Sequence, residues 1–295
     1  MAAPIRILVQ TTIPTTDDDW SIARFSRLTS YLAALQQPNG EPLVAVTGRD
    51  RQPDADGNDP VLSGLDRAQF DELWLFALDV GDGLSARDCE GIRRFHAQGG
   101  GILTTRDHQD MGISMCALEP IGRFHYFNSR QRDPDPERCA NDDCYTTTIS
   151  FPNYHSGRNG DYQTIHPAEP LHPLLKTETG VIQFFPAHPH EGGVGVPADI
   201  DYARVIATGK SLVTDRPFNL AVAAEPTADA AGNRPGRIVT QSTFHHFVDY
   251  NWDIEAGCPS FVSEPPGDGY KTHPEALEDI KHYVRNLALW LMPDA

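Results

Sequence analysis

The sequence predicts an α/β protein, a mostly parallel sheet with helices on both faces, on three observations. Short apolar runs alternate with helix-period segments through the first third of the chain. Runs such as Leu73-Trp74-Leu75-Phe76 are nearly continuous, as in strands covered on both faces. A capped helix separates two of the runs, which returns the chain parallel to its start.

Ile5-Arg6-Ile7-Leu8-Val9 reads as the first buried strand. Asp17, Asp18 and Asp19 offer N-cap chemistry for a helix whose inner face is Ile22, Phe25, Leu28, Leu32 and Leu35. Pro38-Asn39-Gly40 stops it, and Leu43-Val44-Ala45-Val46 is the second strand. The third lies within Phe70 to Asp79. Ser85 and Asp88 then form a capping-box pattern for a helix burying Cys89, Ile92 and Phe95. Gly99-Gly100-Gly101 ends that helix, and Ile102-Leu103-Thr104-Thr105 is the fourth strand. Periodicity fails between residues 120 and 203, a loop-rich insertion of the kind that carries function. Strands resume at Leu220–Ala224 and Arg237–Thr243. Thr272 and Glu275 suggest a second capping box, opening a helix with Leu277, Ile280, Val284, Leu287 and Leu291 inward. The whole reads as one domain, 1–295, with 120–203 lining its site.

Composition narrows the partners. The 295 residues carry 24 basic and 41 acidic side chains, a formal charge of −17. So acidic a surface disfavours nucleic acid and anionic membranes. No apolar run reaches the ~20 residues of a spanning helix, and Met1 to Thr12 lacks a signal-peptide pattern. Cys89, Cys116, Cys139, Cys144 and Cys258 are odd in number and scattered, which fits reduced thiols in a cytoplasm. The expected partner is a small-molecule substrate, with a homo-oligomer compatible.

Ligands of open α/β sheets bind beyond the carboxyl ends of the strands. Two such ends are rich in His and Asp. Arg106-Asp107-His108 follows the fourth strand, and Phe244-His245-His246-Phe247-Val248-Asp249 follows the last. A shared polar pocket is one reading; a helix N-cap at Asp107 and hydrogen-bonded structural histidines are the other. A third cluster is His188-Pro189-His190-Glu191-Gly192-Gly193. Residues two apart on an extended chain point the same way, so His188 and His190 face one divalent ion (Zn²⁺, Mn²⁺ or Fe²⁺), with Glu191 joining through a turn. The alternative is that Pro189 simply fixes a loop. Phosphate-cradling glycine motifs are missing, so no nucleotide cofactor is expected, and no Gly-x-Ser-x-Gly elbow occurs. Cys116 is a nucleophile only if His245 lies beside it, and its apolar surroundings favour a buried thiol.

Ile5–Thr12, Phe70–Asp79, Phe95–Gly112 and the Gly236–Val239 entry to Phe244-His245-His246 together resemble the class I glutamine amidotransferase-like superfamily, and within it the ThuA-like (trehalose-utilisation-like) branch. The resemblance implies a flavodoxin-like three-layer sandwich. It places the site at these strand ends, with His245 or His246 where the superfamily has its catalytic histidine. The superfamily's cysteine is replaced here by Arg106-Asp107-His108, and no glutamate stands two residues beyond either histidine. Glutamine hydrolysis is therefore not expected. The ThuA-like branch implies a small polar, sugar-derived substrate. The expected enzyme works by hydrolysis or related acid–base chemistry on Asp107, His108, His245, His246 and Asp249, with metal assistance as a variant. The rival is a non-catalytic ligand-binding or scaffold protein that retains the fold.

Overall fold

A computed structural model describes residues 3–16, 20–139, 157–187, 190–260, 262 and 265–293. The strands in chain order are β1 (Ile5–Pro14), β2 (Val44–Arg51), β3 (Glu72–Phe76), β4 (Gly101–Thr105), β5 (His125–Tyr126), β6 (Tyr162–Thr164), β7 (His166–Pro167), β8 (Phe184–Pro186), β9 (Gly193–Val194), β10 (Ala203–Lys210), β11 (Pro217–Ala224) and β12 (Ile238–Gln241). The helices are α1 (Ser26–Ala34), α2 (Pro60–Ser63), α3 (Ala86–Ala97), α4 (Asp249–Trp252), α5 (Gly269–Thr272) and α6 (Glu275–Leu291). Eight strands form one sheet in the order β2-β1-β3-β4-β12-β11-β10-β7. The first five are mutually parallel and the last three antiparallel. The parallel part has the flavodoxin-like order, 2-1-3-4-5 counted along its own strands.

Alternation along each strand divides the core in two, because successive side chains leave opposite faces. Ile7, Val9, Trp74, Phe76, Leu103 and Val239 join the cluster containing Phe25, Leu28 and Leu32 of α1 and Ile280, Val284 and Leu287 of α6. Leu8, Leu73, Leu75, Ile102 and Ile238 join the cluster containing Cys89, Ile92 and Phe95 of α3. Each fully buried large apolar side chain contributes roughly 1.5–3 kcal/mol, so both faces are held firmly. The predicted α/β sandwich is thus present.

The helix starts differ from expectation in instructive ways. Ser85 and Asp88 do make the capping box of α3. The first helical segment is split into a 3₁₀ turn, Ile22–Phe25, and α1. The N-terminus of α1 is capped by Asp249, far away in sequence: its carboxylate accepts from the Ser26 amide (3.2 Å), the Ser26 hydroxyl (2.6 Å) and the Arg27 amide (2.8 Å). Asp17, Asp18 and Asp19 lie outside the described residues. Thr272 does not cap α6; its hydroxyl donates to the Gly269 carbonyl within α5, and the position before Glu275 is Pro274.

No long helix follows β4. The chain runs through 3₁₀ turns at Ile113–Ala117 and Ile121–Phe124, packing Met115, Leu118, Ile121 and Phe124 onto the α3 side. The expected irregular region carries the short strands β5 to β9, paired β5–β9 and β6–β8 in two small sheets. No described helix is long and apolar enough to cross a membrane.

Candidate active site at the ends of β4 and β12

Immediately beyond β4, Arg106 is fully buried. Its Nε donates to the Met111 carbonyl (2.9 Å), one Nη to the Tyr126 carbonyl (2.8 Å) and the other to the Gln109 carbonyl. The guanidinium lies 4.2 Å from the centre of the Phe127 ring. Burial pushes its pKa down to about 10, opposed by Asp107 and Asp110, so it remains a cation at neutral pH. A planar fork suits this task because its donors diverge toward separate acceptors. It holds the tight turn after β4, in which Gln109 has φ 52°, and it was not singled out by sequence reading. The signal available was a charged residue directly continuing a buried strand.

Asp107 projects into the space between β4 and β12. Its Oδ2 lies 3.4 Å from His245 Nε2 and 2.9 Å from His108 Nδ1. The His245 ring donates along that contact. His108 is close but not aligned for a hydrogen bond, and both its Nδ1 and Asp107 Oδ1 are buried atoms without a hydrogen-bond partner. The rings of His108 and His190 stand 5.1 Å apart. His245 stacks on Phe244 at 4.0 Å and meets the edge of Trp20 at 5.0 Å. Burial alone would raise the Asp107 pKa, yet His108 and His245 hold it well below the usual carboxylate range. Burial lowers that of His245, assisted by His190 and His108 and opposed by Asp107. The core of the site is therefore a carboxylate beside a neutral imidazole, the orienting arrangement of an acid–base pair.

The loop that precedes β9 crosses these strand ends. The Gly192 amide donates to the Ser242 carbonyl at 2.9 Å, and Ser242 Oγ donates to Glu191 Oε2 at 2.7 Å. The third predicted cluster thus joins the first two through His190 and Glu191. His188 lies outside the described residues.

His246 points elsewhere. Tyr283 of α6 donates to Gln241 Oε1 (2.9 Å), which turns the Gln241 amide nitrogen toward His246 Nδ1 at 2.8 Å. Nδ1 must accept, so the ring proton sits on Nε2, which requires the Gln163 side-chain amide, 2.7 Å away, to present its oxygen to the ring; Glu191 Oε1 lies 3.7 Å off. With the side chain fully enclosed, His246 is a structural member of a polar network. Gln163 had no sequence signal, because only the tertiary fold brings β6 here. Asp249 is likewise not gathered with the histidines; its oxygens serve α1. Among the described residues no three His, Cys, Asp or Glu side chains are grouped to hold a metal ion; the expected trio includes His188, which lies outside the described residues.

Among the described residues no cysteine stands at the β4 turn. Cys116 is half-buried, and burial raises its thiol pKa over the opposing effect of Arg106 and Arg130, the wrong direction for a thiolate nucleophile.

No family model and no curated protein sequence matches the chain. Among solved structures it is similar to the glutaminase domain of Trypanosoma brucei CTPS with bound acivicin, at 12% identity and a TM-score of 0.46, over 99% of this chain and 95% of that one. It is also similar to a ThuA-like protein from Parabacteroides merdae, at 14% identity and a TM-score of 0.41, over 90% of this chain and 95% of that one.

Proposed function

We propose that the chain is an enzyme that acts on a small polar substrate by hydrolysis or a related acid–base reaction at the ends of β4 and β12. The observation that carries this reading is the single Asp107 oxygen shared by His108 and His245, with His190 against His108. In this reading His245, neutral at pH 7, takes a proton and Asp107 stabilises the resulting imidazolium. His108, with a side chain 17% exposed against 2% for His245, is the group that meets substrate. Sugar-derived molecules are the first class to try, on the resemblance described above.

The near-complete enclosure of Asp107 and His245 favours a second reading, binding without turnover. A panel of chromogenic esters, amides and glycosides of small polyols, assayed with wild type, His108→Ala and His245→Gln, separates the two. Turnover lost in both variants at unchanged melting temperature supports the enzyme. No turnover on any member, together with saturable binding of one, supports the second reading.

A further inference from the structure

The strands that carry Asp107 and His245 at their carboxyl ends also meet a cavity at their other ends. β4 and β12 are parallel, so Gly99 and Gly236, which precede them, lie together at the end of the sheet opposite the histidines. A cavity of about 390 Å³ opens there, within the range of small-molecule sites. Three of its lining residues are arginines, Arg67, Arg234 and Arg237, and none is acidic. In a chain with a formal charge of −17, this is a local reversal of sign.

The cavity wall is fixed by its own hydrogen bonds. The Gly236 amide donates to the His96 carbonyl and His96 Nε2 to the Gly236 carbonyl, both at 2.8 Å. This clamps the segment bearing Arg234 and Arg237 to the end of α3. Helix C-termini disfavour anions, and two end here, but their carbonyls are covered. Those of α3 accept from the Gly99, Gly100 and Gly236 amides. At the end of α6 one Nη of Arg237 donates to the Trp290 carbonyl (2.9 Å) and the Met292 carbonyl (3.5 Å). The nearby carboxylates do not cancel the arginines. Asp71 pairs with both Arg6 (3.0 Å) and Arg67 (2.6 Å), one negative charge between two cations. Glu225 stands 3.9 Å from Arg237 Nε with its side chain 60% exposed. Arg67 uses one Nη for Asp71 and the Phe70 carbonyl, and its Nε and other Nη donate to no described group.

We propose that this cavity binds a small molecule carrying two or more negatively charged oxyanion oxygens. Guanidinium forks match the paired oxygens of phosphate and carboxylate groups alike. A monoanion would engage one fork and leave the remaining cations facing one another, so it binds more weakly. The site stands apart from the Asp107 chemistry, and each reading can fail without the other.

The full chain is titrated calorimetrically with inorganic pyrophosphate, citrate and acetate at matched ionic strength, and the amide signals of Gly99 and Gly232 are followed in parallel. The expected result is saturable binding of pyrophosphate or citrate, about tenfold or more tighter than acetate, with both glycine signals shifting. Pyrophosphate alone assigns a phosphorylated ligand, citrate alone a polycarboxylate, and binding of both a site for either. The Arg234 side chain is exposed, so Arg234→Gln tests the charge without emptying the core. It should weaken binding about tenfold or more, the loss of a charged hydrogen bond. Arg87→Gln removes the same charge from an exposed position at the other end of α3 and should leave binding as it is. Absence of saturable binding of both multivalent anions overturns the proposal. So does acetate binding as tightly as they do, an equal effect of the two substitutions, or signal shifts confined to residues outside the cavity. The wild-type titration decides this even where a variant is unstable.

Discussion

Gly192 rests directly against Ser242. Its amide donates to the Ser242 carbonyl at 2.9 Å, and a Cβ placed on Gly192 would come within 2.6 Å of that carbonyl oxygen and of the Asp107 carbonyl oxygen. The loop bearing His190 and Glu191 can lie across β4 and β12 only because this residue has no side chain. Gly192→Ala is expected to lift the loop, since both obstructing atoms are backbone. A loss of about 1–3 kcal/mol is expected from such overpacking, read by denaturant unfolding, together with displaced His108 and His190 ring signals. An unfolding midpoint equal to wild type would show that the loop yields freely.

Asp249→Ala should remove the cap of α1 and cost about 1–2 kcal/mol. Amide exchange in Ser26–Ala34 should accelerate while the His108 and His245 ring signals stay in place. Movement of those signals would tie Asp249 to the site after all.

Glu72, the first residue of β3, is fully buried and accepts from Trp74 Nε1 at 2.8 Å, and burial drives its pKa well above the ordinary value. The unfolded chain releases this proton near pH 4.5 and the folded one holds it, so the residue costs stability as pH rises above about 4.5. Glu72→Gln keeps an acceptor for Trp74. It should be near neutral at pH 4 and stabilising at pH 8, compared by urea melts. A variant penalty that is constant with pH would contradict the assignment.

Histidine burial works in the opposite sense. His96, whose Nε2–H donates to the Gly236 carbonyl at 2.8 Å, and His172 are each held down to about 4, chiefly by burial. Below pH 6.5 the unfolded chain takes up protons that the folded chain refuses. Stability should therefore fall between pH 6.5 and 4, by up to roughly 3 kcal/mol per residue. His96→Gln and His172→Gln should each flatten the wild-type profile in that window and leave its slope above pH 7 unchanged.

Much of this architecture was legible because it is local or periodic. The alternation Leu73-Trp74-Leu75-Phe76 sends side chains into both core clusters, and Ser85 with Asp88 caps α3 as its spacing indicates. Asp107, His108 and His245 were legible too, because strand ends in this architecture converge. What escaped was non-local. Asp249 follows β12 and was grouped with its histidines, yet its carboxylate reaches 223 positions back to Ser26. Gln163 acquires its role only from groups delivered by other segments, and Arg106 combines the local Gln109 and Met111 carbonyls with the Tyr126 carbonyl and Phe127 ring brought from further along the chain. The short β5 to β9 are set by pairing, since strands of two or three residues carry no readable period; of the antiparallel extension, Leu220–Ala224 of β11 was legible and the eight-residue β10 was not.

The bond from Tyr283 to Gln241 has a consequence for how the chain is made. α6 is the last described helix, and its tyrosine sets the Gln241 amide that in turn fixes the His246 ring. On the ribosome, β1 to β4 can pair while α6 is still unsynthesised, but this polar network cannot lock until Tyr283 has emerged and docked. The locking of this network is thus a late event of biosynthesis, and nascent chains ending before α6 would carry His246 without its final alignment.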